Sequence, residues 1–127
     1  MNNQTPSPKQ KALLELSHDQ LQGKCLLWFR NEFLDQKYLM HANINNSRDK
    51  KQGNRRRAIG VVAGVLDLEY FRKGILYFFD FKVGKDRFSQ AQREFMDQVI
   101  AEGAICYAIR CLEEFQNIIR EINNDHN

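Results

Sequence analysis

The chain lacks any apolar run long enough to span a membrane: the longest, Ile59 to Leu66, is far short of the ~20 residues a spanning helix needs. No export signal is expected, since the first eleven residues, MNNQTPSPKQK, hold no apolar segment resembling one. No membrane association is expected, the expected compartment is the cytoplasm, and residues 1–16 read as a flexible tail. Cysteine is scarce and odd in number. Cys25, Cys106 and Cys111 form neither a CxxC pair nor a zinc spacing, so they read as reduced thiols packed as small hydrophobes. Internal repeats are absent, which excludes solenoids and propellers.

What is present is an ordinary globular composition. The 127 residues are 43% hydrophobic and 28% charged, one domain by length, burying roughly two-thirds of the unfolded surface. The net charge of +3 is unevenly spread. Arg48 to Arg57, RDKKQGNRRR, carries a local charge of +5, which leaves −2 on the rest. A basic loop on a slightly acidic body suits a polyanion such as nucleic acid, with Lys50, Lys51, Arg55, Arg56 and Arg57 as candidate phosphate contacts. The competing reading is a solubilising surface loop.

Ser17-His18-Asp19-Gln20 has the form of a capping box and predicts a first helix running to about Gln36, its apolar face formed by Leu21, Cys25, Trp28, Phe29 and Phe33. Tyr38 to Ile44 reads as a short strand, followed by a polar connection. Two apolar strands surround Lys73-Gly74. Ser89 to Gln92 repeat the capping box and predict a second helix from about Gln90 to Glu102, with Phe95, Met96, Val99 and Ile100 as its buried stripe and Gly103 as its stop. Ala104 to Cys111 reads as a third buried strand. A final amphipathic helix carries Phe115, Ile118, Ile119 and Ile122 on one face. The order predicts an α/β or α+β domain over residues 17–122, a mixed sheet with helices on both faces, and a short tail at 123–127.

The hairpin carries the chemistry. A turn centred on Lys73-Gly74 sets Asp67 opposite Asp80 whether the loop has two residues or four. Directly opposed like charges destabilise an antiparallel pair, so a cation between them is the natural explanation. Asp80-Phe81-Lys82 adds an ammonium on the same strand face as the second acid. Two carboxylates suit Mg²⁺, which prefers oxygen ligands and keeps several waters, and a metal-activated water beside Lys82 is the minimum equipment for phosphodiester hydrolysis. The plainer alternative is a cross-strand Asp–Lys salt bridge. Glu69, on the face of Asp67, is expected to pair with Arg72 or Lys73, or to serve as an outer group of the site.

Taken together, Gly60-Val61-Val62-Ala63-Gly64-Val65-Leu66-Asp67-Leu68, then Asp80-Phe81-Lys82, then Ser89-Gln90-Ala91-Gln92, resemble the VRR-NUC (virus-type replication-repair nuclease) domain of the PD-(D/E)XK superfamily. The likeness extends upstream to Gln22 and Cys25 to Arg30, and downstream to Gly103 and Ile105 to Arg110. It implies a restriction-endonuclease-like core and a metal-dependent DNA endonuclease. Asp67 and Asp80 would be metal ligands with the Phe81 carbonyl, Lys82 the catalytic lysine, and Gln92 a group reaching the site or the DNA backbone. Gln92 has a second reading as half of the capping box. The family usually has Glu at the position of Asp80. Its first-helix acid aligns with His18, so His18 is a candidate ligand suited to Mn²⁺ as well as Mg²⁺, with Asp19 as the alternative; either residue is equally at home in a first helical turn. The resemblance further implies branched or four-way-junction DNA as substrate, a homodimer, a role in DNA repair and a bacterial or phage source. A DNA-binding module with the same fold and little or no cutting is the alternative function.

Overall fold

Ser17 opens the first helix as its sequence predicts. Its hydroxyl accepts the Gln20 N–H at 3.2 Å and the Gln20 side chain accepts the Ser17 N–H at 2.9 Å, so both halves of the capping box are made. The computed structural model describes residues 16–43 and 58–124; the expected N-terminal tail and the basic segment containing Lys50, Lys51, Arg55, Arg56 and Arg57 lie outside them. Helix α1 is His18–Glu32, four residues shorter than the Gln36 expected. A 3₁₀ turn, Leu34–Gln36, takes over. The reason is tertiary: Gln36 turns inward, its Oε1 accepting the Tyr70 hydroxyl and its Nε2 donating to Asn123 Oδ1 at 2.8 Å. Asn123 in turn donates to the Tyr70 oxygen at 3.1 Å. This buried polar triangle is fully partnered, and satisfying its members outweighs one more helical turn.

Strand β1 is Met40–Ala42, β2 Leu68–Arg72 and β3 Ile75–Phe81. The first is shorter than Tyr38 to Ile44 because Tyr38 points into solvent, and Ile44 lies outside the described residues. The hairpin register is as predicted: Leu68 faces Phe79, Tyr70 faces Tyr77, and Arg72 faces Ile75. The loop therefore has two residues, and the positive φ of Lys73 (50°) and Gly74 (83°) is the type I′ conformation that matches strand twist. Helix α2, Gln90–Ala101, leads into β4, Ile105–Ile109, which pairs with β3 in parallel; α3 is Leu112–Asn124. The sheet is mixed, in the order β1-β2-β3-β4.

Alternation along the strands sorts the two faces. Leu68, Tyr70, Tyr77, Phe79 and Phe81 enter the main core with Leu21, Cys25 and Phe29 of α1 and Phe115, Ile119 and Ile122 of α3. The opposite face holds Phe78, Asp80 and Lys82, with α2 against it; Phe78 meets Phe95 edge-on at 5.0 Å. Helices thus flank both faces, but α2 is the lighter layer. None of its residues is fully buried, and Ile100, expected in the buried stripe, is 52% exposed. Strand β4 is likewise buried only at Ile109, because it is the sheet's outer strand. Among the described residues no helix is long and apolar enough to cross a membrane.

The thiols sit as expected of packed hydrophobes only in part: Cys25 is buried, Cys106 half-buried and Cys111 exposed. Burial pushes the Cys25 thiol up to about 12 and Cys106 to about 11, which suppresses the reactive thiolate at both.

Candidate active site

One cavity of about 490 Å³ opens where the end of β3 meets the first turns of α1 and α2, and its walls include His18, Asp67, Asp80, Lys82 and Gln92. Four separate stretches of chain supply these groups. Each arrives by local logic. Asp80 sits near the end of β3, alternating with core residues Phe79 and Phe81, and faces Ala108 of β4, which leaves it room. Lys82 lies one residue beyond β3 yet stays in the ladder, its N–H donating to the Ile109 carbonyl at 2.9 Å. Asp67 immediately precedes β2, so it is not a paired strand residue as the hairpin reading implied. Its backbone carbonyl accepts the Asn43 N–H at 2.8 Å, and its side chain reaches across to accept the Phe81 N–H, also at 2.8 Å.

Asp80 and Lys82 are both buried, at 2% and 7% exposure, and form an ion pair with Nζ 2.7 Å from Oδ2. A charge pair so dry is sustained only when its remaining hydrogen-bonding capacity is met. Gln92 meets it. Its Nε2 donates to Asp80 Oδ1 at 3.2 Å, and its Oε1 accepts from Lys82 Nζ at 3.0 Å and from the Ser89 N–H at 3.0 Å. Gln92 thus closes the α2 capping box and at the same time braces the acid–lysine pair. Those partners also define which end of the amide is oxygen.

His18 Nε2 lies 2.8 Å from Asp67 Oδ2, and Nδ1 lies 3.3 Å from Asp19 Oδ1. A carboxylate oxygen can only accept, so the imidazole donates to Asp67. Asp19 is almost fully exposed and stands at the rim of the cavity beside this ring. Burial alone would lower the His18 pKa, but the hydrogen bond and charge of Asp67, aided by Asp19 and Asp80, carry it above its ordinary value. Burial, with Lys82 opposing and Asp67 reinforcing it, pushes the Asp80 carboxyl up to about 6.

Both shifts act on stability in one direction. For Asp80 the folded pKa lies above the unfolded one, so its ionisation penalty is absent below about pH 4 and complete above about pH 6. The His18 contribution is full below about pH 6.5 and is lost as pH rises through its folded pKa. The melting temperature of protein in EDTA should therefore fall between about pH 5 and pH 7.5. Added Mg²⁺ or Mn²⁺, which binds deprotonated ligands, should recover most at the higher pH. A thermal melt series across that range is the check, and a melting temperature that rises with pH in EDTA would contradict the assigned shifts.

One wall residue, Asp86, was not singled out in the sequence. Asp86 sits on the turn after β3, which Arg110 clamps by donating to the Gly84 carbonyl at 3.2 Å and the Asp86 carbonyl at 3.0 Å. A charged turn next to D-x-K was the available signal. Gly64, already part of the glycine motif, also lines the cavity, with a φ of +87° and the Ala91–Gln92 backbone at the start of α2 close against it. Glu69 does not pair with Arg72 or Lys73; its nearest charged neighbour is His41, 3.8 Å away across β1 and β2, because antiparallel register places His41 directly opposite.

Among the described residues, no three His, Cys, Asp or Glu side chains gather as a metal cage. The donors on hand, two carboxylates on one wall with an open cavity before them, are the hard-oxygen set that suits Mg²⁺ or Mn²⁺ completed by water and phosphate. Burial first, and the neighbouring Asp67 second, raise the Asp80 pKa, and a cation between the two acids would offset both.

No protein-family model and no curated protein matches this chain. Among solved structures, a VRR_NUC domain protein aligns over 84% of this chain and 87% of its own length, with a TM-score of 0.68 at 17% sequence identity. The fold is thus that of a VRR-NUC nuclease domain, as the ordered motifs had suggested.

Proposed function

We propose that this protein is a metal-dependent nuclease that hydrolyses DNA phosphodiester bonds. The observation that carries the reading is the closed constellation of Asp67, Asp80, Lys82 and Gln92 at one cavity on a nuclease-type fold. Asp67 and Asp80 would hold Mg²⁺ or Mn²⁺ with the Phe81 carbonyl, and the bound ion would supply Lewis-acid charge and an acidified water. The chain's own residues supply the rest. Lys82 meets two acceptors, Asp80 and Gln92, and so presents an ammonium whose remaining donor can stabilise charge developing on a phosphate oxygen. Gln92 holds both members of the pair, which keeps Lys82 from swinging away. His18 orients Asp67 through its Nε2 hydrogen bond.

Branched DNA, four-way junctions in particular, is the proposed substrate, and a dimer would present two such sites to symmetry-related strands. The basic residues Lys50, Lys51, Arg55, Arg56 and Arg57 are proposed phosphate contacts that grip without reading sequence.

A second reading has its own support. With His18 protonated, Asp67 and Asp80 each have a cationic partner, His18 and Lys82, without metal; that suits a module that binds DNA and cuts poorly. Incubating labelled linear, flapped and four-way-junction DNA with Mg²⁺, Mn²⁺ or EDTA separates the two. Cutting that needs metal and disappears in Asp67→Ala is the expected result. Tight binding with no cutting in either metal would establish the module instead.

A further inference from the structure

We infer that a second groove, between the end of α1 and the outer edge of β1, carries a single DNA strand away from the active site. This rests on the nuclease reading above. The groove encloses about 600 Å³ and is lined by Arg30, Leu34, Lys37, Tyr38 and His41 among others, with no acid in its wall. Its charge is therefore positive at neutral pH from Arg30 and Lys37 alone, the sign a polyanion requires.

Its apolar groups are equally telling. Tyr38 is 86% exposed and Leu34 79%, on a short turn where Gln36, between them, is buried. The turn is thus anchored by Gln36 while it displays a flat aromatic ring outward. Lys37 Nζ lies 5.5 Å from the centre of that ring. An exposed aromatic flanked by cations is the arrangement on which single-stranded bases stack while their phosphates meet the charges, and it is tolerant of sequence because every base has a π-face.

The chain segment that forms one wall of the groove also reaches the cavity. Asn43 hydrogen-bonds the Asp67 backbone, and His41 lies two residues back along the same extended chain, about 7 Å away. His41 faces Glu69, the residue two along the chain from Asp67, so β1 and β2 join the groove's wall to the edge of the cavity. Glu69 is the acid on that route, and His41 stands beside it.

The test is fluorescence anisotropy of a labelled oligo-dT strand across a salt series in EDTA, where no cutting intervenes, on the full chain. Tyr38→Ala should weaken binding by roughly 5- to 150-fold. Arg30→Ala with Lys37→Ala should lower the salt slope by about 1.4 for a single strand. These positions are exposed, so melting temperatures should match the wild type, which confirms that the variants are folded. Wild-type protein that cuts DNA while all three changes leave affinity and slope untouched overturns the groove but not the nuclease. Wild-type protein that neither binds nor cuts any DNA overturns both. If instead Tyr38→Ala converts a dimer to a monomer in sedimentation without changing affinity for the strand, the surface belongs to a second copy and the proposal falls.

Discussion

Lys82→Met should reduce metal-dependent DNA cutting by about 10²- to 10⁴-fold, the range spanned by loss of a positioned proton-transfer or electrostatic group. DNA affinity in EDTA should change little, because the ammonium is buried and tied to Asp80 and Gln92. The same change has a second, separable consequence. It leaves Asp80 as an uncompensated carboxylate at 2% exposure, and breaking a buried pair from one side costs about 3–5 kcal/mol. That cost should shrink as pH falls, because Asp80, already raised by burial and now without the Lys82 charge that lowers its pKa, takes up a proton more readily. Pairing Lys82→Met with Asp80→Asn removes both charges and should restore most of the stability at neutral pH while restoring none of the cutting. The two readouts therefore divide the roles of one residue: the double-mutant cycle in melting temperature reports the ion pair, and the cleavage rate reports the chemistry. Unimpaired cutting by Lys82→Met would remove Lys82 from the reaction.

Gly64→Ala should cost about 2–5 kcal/mol, although it adds one methyl group. The residue's φ of +87° is disfavoured for any L side chain, at about 1–3 kcal/mol. The larger part is contact. A Cβ there would overlap the Ala91 carbonyl and lie 2.9 Å from the Gln92 nitrogen, all rigid backbone in the first turn of α2. That turn carries the capping box and, through Gln92, the brace on Asp80 and Lys82. Relief of the overlap must move either the segment leading to Asp67 or the helix holding Gln92, so cutting should fall with stability. Gly60→Ala is the matched control: its φ is +100°, but nothing lies within 4 Å of the added methyl. Denaturant melts of the pair separate backbone conformation from contact. Equal losses in the two variants would show that Gly64 needs only its φ.

Some of this molecule was legible residue by residue. The paired capping boxes at Ser17 and Ser89 start α1 and α2 where the spacing placed them, because the signal is local and both partners lie within one turn. The register of β2 on β3 follows from a two-residue turn and alternating apolar side chains, since a slip of one residue would turn Tyr70 or Phe79 onto the opposite face, away from the main core. D-x-K placed Asp80 and Lys82 on one strand face for the same reason.

Tertiary structure alone decided the rest. The end of α1 depends on Gln36 meeting Tyr70 and Asn123, partners 34 and 87 residues away. Asp67 bonds the Phe81 backbone, rather than simply opposing Asp80, because it precedes the first paired residue of β2. Glu69 faces His41 because β1 lies beside β2, which no spacing within the hairpin reveals. The groove beside Tyr38 likewise exists only once β1 and α1 have packed. Periodicity and caps are properties of a few neighbouring residues and can be read from the chain. Closing four distant segments around one cavity is a property of packing, and it is there that two acids, a lysine and a glutamine become a site.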